Sequence, residues 1–210
     1  MRARPVWSRA VRIDISARVS DYSFRMGKRD DVLDAALELF EERTYGSTPM
    51  PLVAERAGVG SGTIYRYFPS KEALANAIYR DGKERMRRYL VDGIPAGLDP
   101  RAEFGHWWRQ LFAFARDHPA AFAFLETHHH APYLDADSRA AGAPVDIAAV
   151  GLVVRAQAAG IVRDGPPEEL IAMVFGGFVG LVRGARKGDF KLDDALRTRT
   201  ERAIWGLLAP

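Results

Sequence analysis

From Lys28 onward, apolar residues recur at the spacing of one helix face, and nowhere at the spacing of a strand. In "KRDDVLDAALELFEER" the residues Val32, Leu33, Ala36, Leu37 and Phe40 fall on one side, with acidic residues opposite. "STPMPLVAERAG" predicts a short helix with Thr48 as N-cap and Pro49 at its first position, closing at Gly58. A second short helix follows from about Ser61 to Phe68, with Ile64 and Phe68 as its buried side, and Pro69 stops it. Ser70 then caps a longer helix that continues to about Tyr89.

The second half repeats the pattern. Asp99-Pro100 opens a helix on which Phe104, Trp107, Trp108, Leu111, Phe112 and Ala115 step at helical intervals, and His118-Pro119 restarts the chain. Further helices are expected over about Asp137–Ala159, with a start blurred by Gly142 and Pro144, then Ile171–Ala185, then the last stretch from Leu192. No hairpin or strand signal appears, so the expected fold class is all-α.

Composition narrows the partners. The 210 residues are 48% hydrophobic and 27% charged, the balance of an ordinary globular chain. Cysteine is absent, which removes disulfides, thiolate metal sites and cysteine nucleophiles, and suits a cytoplasmic setting. No run approaches the ~18 consecutive apolar residues of a membrane span, so no membrane partner is expected. The charge is unevenly placed. Residues 1–27 hold six arginines against two aspartates, a local +4, so the remainder sums to −1 of the net +3. That stretch reads as a basic disordered arm able to neutralise phosphate, or as a start-site artefact, since Met26 would be a natural initiator.

"GSGTIYRYFPSKEAL" carries the sharpest chemistry. Two short helices joined by a glycine turn form a helix-turn-helix, whose second helix enters a DNA groove. At 100° per residue, Ile64 and Phe68 face inward, Gly62, Thr63, Arg66 and Tyr67 outward, and Tyr65 to the flank. Tyrosine hydroxyls can donate to phosphates, Ser61 and Thr63 are short enough for base edges, and Arg66 can pair with guanine or clamp a phosphate. Gly62 leaves room for the backbone. The helix starts at Thr48 and Ser70, with Lys71, offer a positive end to phosphate.

Residues Lys28–Leu74, through "ALELF" and "AERAGVG-GTIYRYFPSKEAL", resemble the DNA-binding domain of TetR/AcrR-type transcriptional regulators. The resemblance implies a homodimeric repressor that grips a palindromic operator and releases it when the C-terminal domain binds a small molecule. It puts Thr48, Ser61, Thr63, Tyr65, Arg66, Tyr67 and Lys71 where such proteins touch DNA, with Gly62 between them. Pro51 departs from the family by offering no polar contact. The expected organisation is an arm over 1–27, a reader over 28–74 and a ligand and dimer domain over 75–210.

For the second domain, the aromatic richness of "FGHWWRQLFAF" and "AFAFLETHHHAPY" suggests a pocket for a largely apolar or aromatic effector. Candidate lining residues are Trp107, Trp108, Phe112, Phe122, His128, His129, Tyr133 and Met173. Gly176, Gly180 and Gly184 at four-residue steps would leave a groove for a partner helix, with Leu196, Ile204 and Trp205 completing a dimer surface. Adjacent histidines point ~100° apart, so His128–His130 cannot chelate one ion from one helix. A site there would need His106, His118 or Glu126 brought in. A metal-dependent all-α enzyme built on that segment is the competing expectation; no cofactor, no catalytic residue and no metal site is assigned.

Overall fold

The computed structural model describes residues 15–127 and 133–210, with side chains from Gly27 onward save Thr127. Among the described residues all regular structure is helical. The order is α1 (Ile15–Arg43), α2 (Met50–Arg56), α3 (Ser61–Tyr67), α4 (Lys71–Arg87), α5 (Pro100–Asp117), α6 (Pro119–Thr127), α7 (Ala136–Ala140), α8 (Ala143–Ala158), α9 (Pro167–Lys187) and α10 (Asp194–Leu208). A π-helical turn, Arg88–Asp92, continues α4 without a break.

The helix starts follow local chemistry. Ser70 accepts from the Ala73 amide at 3.1 Å, Asp99 from Ala102 at 2.9 Å and Asp193 from Leu196 at 2.8 Å, each satisfying an amide that the first turn leaves free. Helix α9 ends at Gly188, whose φ of 86° few other residues tolerate. The turn between α2 and α3 likewise uses Gly58 at φ 63°.

Several boundaries differ from the sequence expectation: the helix expected over about Asp137–Ala159 is two, α7 and α8, parted at Ala141–Gly142, and α9 starts at Pro167 rather than Ile171. α1 begins at Ile15 rather than Lys28, so the second half of the expected arm continues the helix; residues 1–14 lie outside the described residues. Nothing between Ile15 and Pro49 is a proline that would interrupt it. Helix α2 starts at Met50, with Pro49 as its cap, because Thr48 is turned into the core instead.

The side chains form two cores. One joins Val32, Ala36, Leu39 and Phe40 of α1 to Val53 of α2, Ile64 of α3 and Leu74 and Ile78 of α4. It also receives Phe124 of α6, stacked on Phe40 with centroids 5.9 Å apart. The other packs α5, α8, α9 and α10 around Trp108, Phe112 and Phe178. Helix α4 contributes to both, Leu74 and Ile78 to the first and Met86 and Leu90 to the second. One continuous helix therefore spans reader and second domain.

Candidate nucleic-acid interface and effector cavity

Helix α3 is held by its inward side alone. Ile64 is fully buried and Phe68 nearly so, while Ser61, Gly62, Tyr65 and Arg66 are exposed and Thr63 is half-buried. Tyr65 keeps 47% of its surface, unusual for a ring in a helix of a packed unit. A Cβ on Gly62 would meet nothing within 4 Å, so this face is open. Behind α3, Arg56 of α2 holds Glu42 of α1 through two parallel contacts of 3.0 Å. That pair is exposed and worth little energy, but it fixes the angle between two helices.

Three expected DNA contacts have partners or cover within the protein. Thr48 is fully buried, its Oγ1 donating to the carbonyl of Thr44 at 2.9 Å and of Leu39 at 3.3 Å. Its hydroxyl stitches the α1–α2 turn and cannot reach a phosphate. Tyr67 is half-buried with its hydroxyl covered and unpartnered, because its ring lies beside Phe68 and beneath the Arg66 guanidinium. Lys71 sits over the Tyr45 ring, 4.4 Å from its centroid, and donates to the Gly46 carbonyl at 3.3 Å. Desolvation there lowers its pKa, with Glu72 opposing the shift.

In the second domain a cavity of about 170 Å³ opens between α4, α5, α8, α9 and α10. Its walls are almost wholly apolar, with Phe104, Trp107, Trp108, Leu152, Phe175 and Trp205 prominent. Two of the expected lining residues, Trp107 and Trp108, do line it. Phe112 and Phe122 do not: both are buried solidly against Phe178, at centroid distances of 5.3 and 5.5 Å. Met173 is 52% exposed, since Ile171, Val174 and Phe175 occupy the inner face of α9 and Met173 projects opposite them. Tyr133 leaves the second domain altogether and stacks on Tyr45 of the reader. His128 and His129, with His130, lie outside the described residues.

Lys83 and Asp146 are the ionisable lining residues, and neither was expected. The signal was present in the sequence. Tyr79, Lys83, Met86 and Leu90 follow one stripe of α4, so a lysine stands where the period asks for an apolar residue. Its Nζ lies 3.7 Å from Glu126 on α6, and both side chains are over 80% buried. Burial pushes the Glu126 carboxyl above its usual range, Lys83 opposing and Asp146 reinforcing the shift.

His118 meets Tyr89, His106 is buried on α5, and among the described residues no group of three metal-ligating side chains comes together.

The expected dimer surface also divides. Gly176 and Gly180 are exposed and open, on one face of α9 with Met173, and Leu207 of α10 is 49% exposed. A Cβ on Gly184 would come within 2.5 Å of the Phe190 ring, so the protein fills that notch itself. Leu196 is core, Ile204 packs over Gly177, and Trp205 turns inward against Phe104 at 5.1 Å as a cavity wall. The stretch Ala136–Ala158 is apolar enough by composition to cross a membrane, yet it is broken at Ala141–Gly142 and carries Asp146 and Arg155. It is only 22% buried and exposes Ile147 and Val154.

Comparison with known proteins follows this division. Residues 32–78 match the family model described as bacterial regulatory proteins, tetR family, and residues 79–209 match the tetracyclin repressor-like C-terminal domain. The HTH-type transcriptional repressor KstR2 of Rhodococcus jostii is 35% identical over 82 residues, 39% of this chain and 40% of that protein. The curated relatives heading the comparison are matched over less than half of their own length. A TetR family transcription regulator from Marinobacter aquaeolei superposes with a TM-score of 0.80 at 21% identity, over 90% of this chain and 98% of that one. The fatty acid degradation regulator FadR of Bacillus halodurans superposes with a TM-score of 0.70 at 20% identity, over 87% and 94%.

Proposed function

Because the chain belongs to the TetR family of bacterial regulatory proteins, we propose that it is a homodimeric, effector-responsive repressor that binds a palindromic operator in the cytoplasm. The observation that carries this is the open outer face of α3. Ser61, Thr63, Tyr65 and Arg66 stand on a helix whose other side is locked into the core shared with α1, α2 and α4. Short hydroxyls near the helix start suit base edges, Tyr65 suits a phosphate, and Arg66 suits either. A repressor is favoured because KstR2 and other relatives are named repressors.

Two copies must present α3 to successive major grooves, ~34–36 Å apart or a multiple of a helical turn. The exposed strip of Met173, Gly176 and Gly180 with Leu207 is the surface on which they would pair. The effector would occupy the cavity of about 170 Å³, whose apolar walls include α4 residues Met86 and Leu90. Since α4 also packs on α3's core through Leu74 and Ile78, a ligand that shifts α4 changes the spacing of the two readers. The metal-dependent enzyme has no support beyond the histidine run, and the family is one of regulators.

The test is selection of duplexes from a random pool by the purified protein, followed by gel shift. The expected product is a palindrome bound by two protomers. Recovery of no preferred sequence, or of a half-site bound by a single protomer, would overturn the reading.

A further inference from the structure

The chamber's chemistry narrows what it takes, and this step rests on reading it as the effector site. A cavity of about 150 Å³ accommodates benzene, and drug-sized pockets begin near ~300 Å³. At about 170 Å³ the chamber suits a single six-membered ring with a short substituent. Among its charged lining groups, Asp146 is exposed and solvated, whereas Lys83 keeps only 17% of its side-chain surface exposed. The Lys83 ammonium stands 3.7 Å from its acid, beyond a hydrogen bond, and 5.5 Å from the Tyr79 ring centroid. The Trp108 indole N–H is already spent on the Arg197 carbonyl and Thr200 Oγ1, at 3.2 and 3.3 Å. Two donors of the lining residues remain without a hydrogen-bond partner of normal length, the Lys83 ammonium and the buried Trp107 indole N–H, and the charged one is the stronger.

We propose that the effector is a one-ring apolar acid, its ring held by Phe104, Trp107, Trp108, Leu152 and Phe175 and its carboxylate replacing Glu126 as the partner of Lys83. A charge-assisted bond of normal length would then take the place of a long one. Lys83 lies twelve residues along α4 from Lys71, ~18 Å at 1.5 Å per residue, so the anion grips the helix that leads to the reader.

Titration calorimetry of the 210-residue protein with phenylacetate, cyclohexanecarboxylate, phenylacetamide and benzylamine tests this. The acids are expected to bind at least about tenfold more tightly than the amide, and the amine not at all. Lys83→Met should remove the acids' advantage and Lys83→Arg should keep most of it. If Lys83→Met fails to fold with Glu126 left alone, Lys83→Met/Glu126→Gln answers the same question. Leu152→Trp should abolish binding of every ring compound by filling the chamber. Benzylamine binding as tightly as the acids, acid binding indifferent to Lys83, or no ring compound binding at all would each overturn the proposal. Gel shifts on the same samples, with a duplex the protein itself selected, separate the two readings. Intact DNA binding with failed acid binding sinks only the ligand class, while absent DNA binding sinks the regulator.

Discussion

Tyr133 stacks on Tyr45 with ring centroids 4.5 Å apart and planes 22° from parallel. The contact joins the loop after α6 to the turn after α1, the second domain to the reader. Asn76 of α4 fastens the same loop, donating to the Tyr133 carbonyl at 2.8 Å and accepting from the Asp135 amide at 2.9 Å. Tyr45 in turn carries Lys71 over its ring, so one small cluster ties loop, turn and the start of α4.

A double-mutant cycle on Tyr45→Ala and Tyr133→Ala should therefore show a coupling of about 1 kcal/mol in urea unfolding. Burial lifts both phenols from 10.0 to about 12. A pKa raised on folding stabilises fully below the unfolded value and loses that contribution through the folded one. Stability should hence fall between pH 10.0 and about 12, and Tyr45 and Tyr133 should be among the last phenols to ionise in an absorbance titration.

Arg66 and Thr48 separate reading from building. Arg66→Ala should weaken operator binding about tenfold to a hundredfold and leave urea unfolding unchanged. Thr48→Ala should cost about 1–3 kcal/mol of stability, since the turn loses two hydroxyl contacts, with the selected DNA sequence unchanged. Gel shift and denaturation on the two variants decide the matter.

Glu126 should destabilise the fold once ionised. Burial raises its carboxyl above 4.5, so its contribution is full below that value and is lost as pH climbs through the raised one. Glu126→Gln is expected to increase the urea midpoint at pH 7, with the gain vanishing as pH falls toward 4.5. An equal gain at both pH values would contradict the desolvation account.

Thr44 closes α1 at φ 73°, a left-handed position that a β-branched side chain strains to occupy. Its Oγ1 has only a long 3.4 Å contact with Ser47 to offset this. Thr44→Gly should stabilise by about 1 kcal/mol in urea unfolding.

Gly180 has nothing within 4 Å of an added Cβ. Gly180→Ala should raise the stability of the single chain by up to about 1 kcal/mol through helix propensity. If the pairing surface is as proposed, Gly180→Leu should shift sedimentation toward monomer at micromolar concentration.

Much of the reader was legible in advance because its determinants are local. The period that buried Val32, Ala36 and Phe40, the Ser70 cap, and Ile64 with Phe68 as the inner side of α3 each depend on residues within a turn or two. Thr48 and Tyr67 escaped because a side chain at the edge of a face can turn either way. Which way is decided by what fills the space beside it, here the Leu39 and Thr44 carbonyls and the Phe68 ring.

By itself the sequence determined that this chain is helical, where several of its helices are capped, and that a short aromatic and basic helix follows a glycine turn. Those properties come from periodicity, caps and backbone freedom, which act over a few residues. Only tertiary structure decided which rings line the chamber and which are core, that Lys83 and Trp205 face it, and that Tyr133 belongs to the reader. Those outcomes depend on residues up to about a hundred positions apart, as between Phe104 and Trp205, meeting across helices whose packing no local pattern encodes.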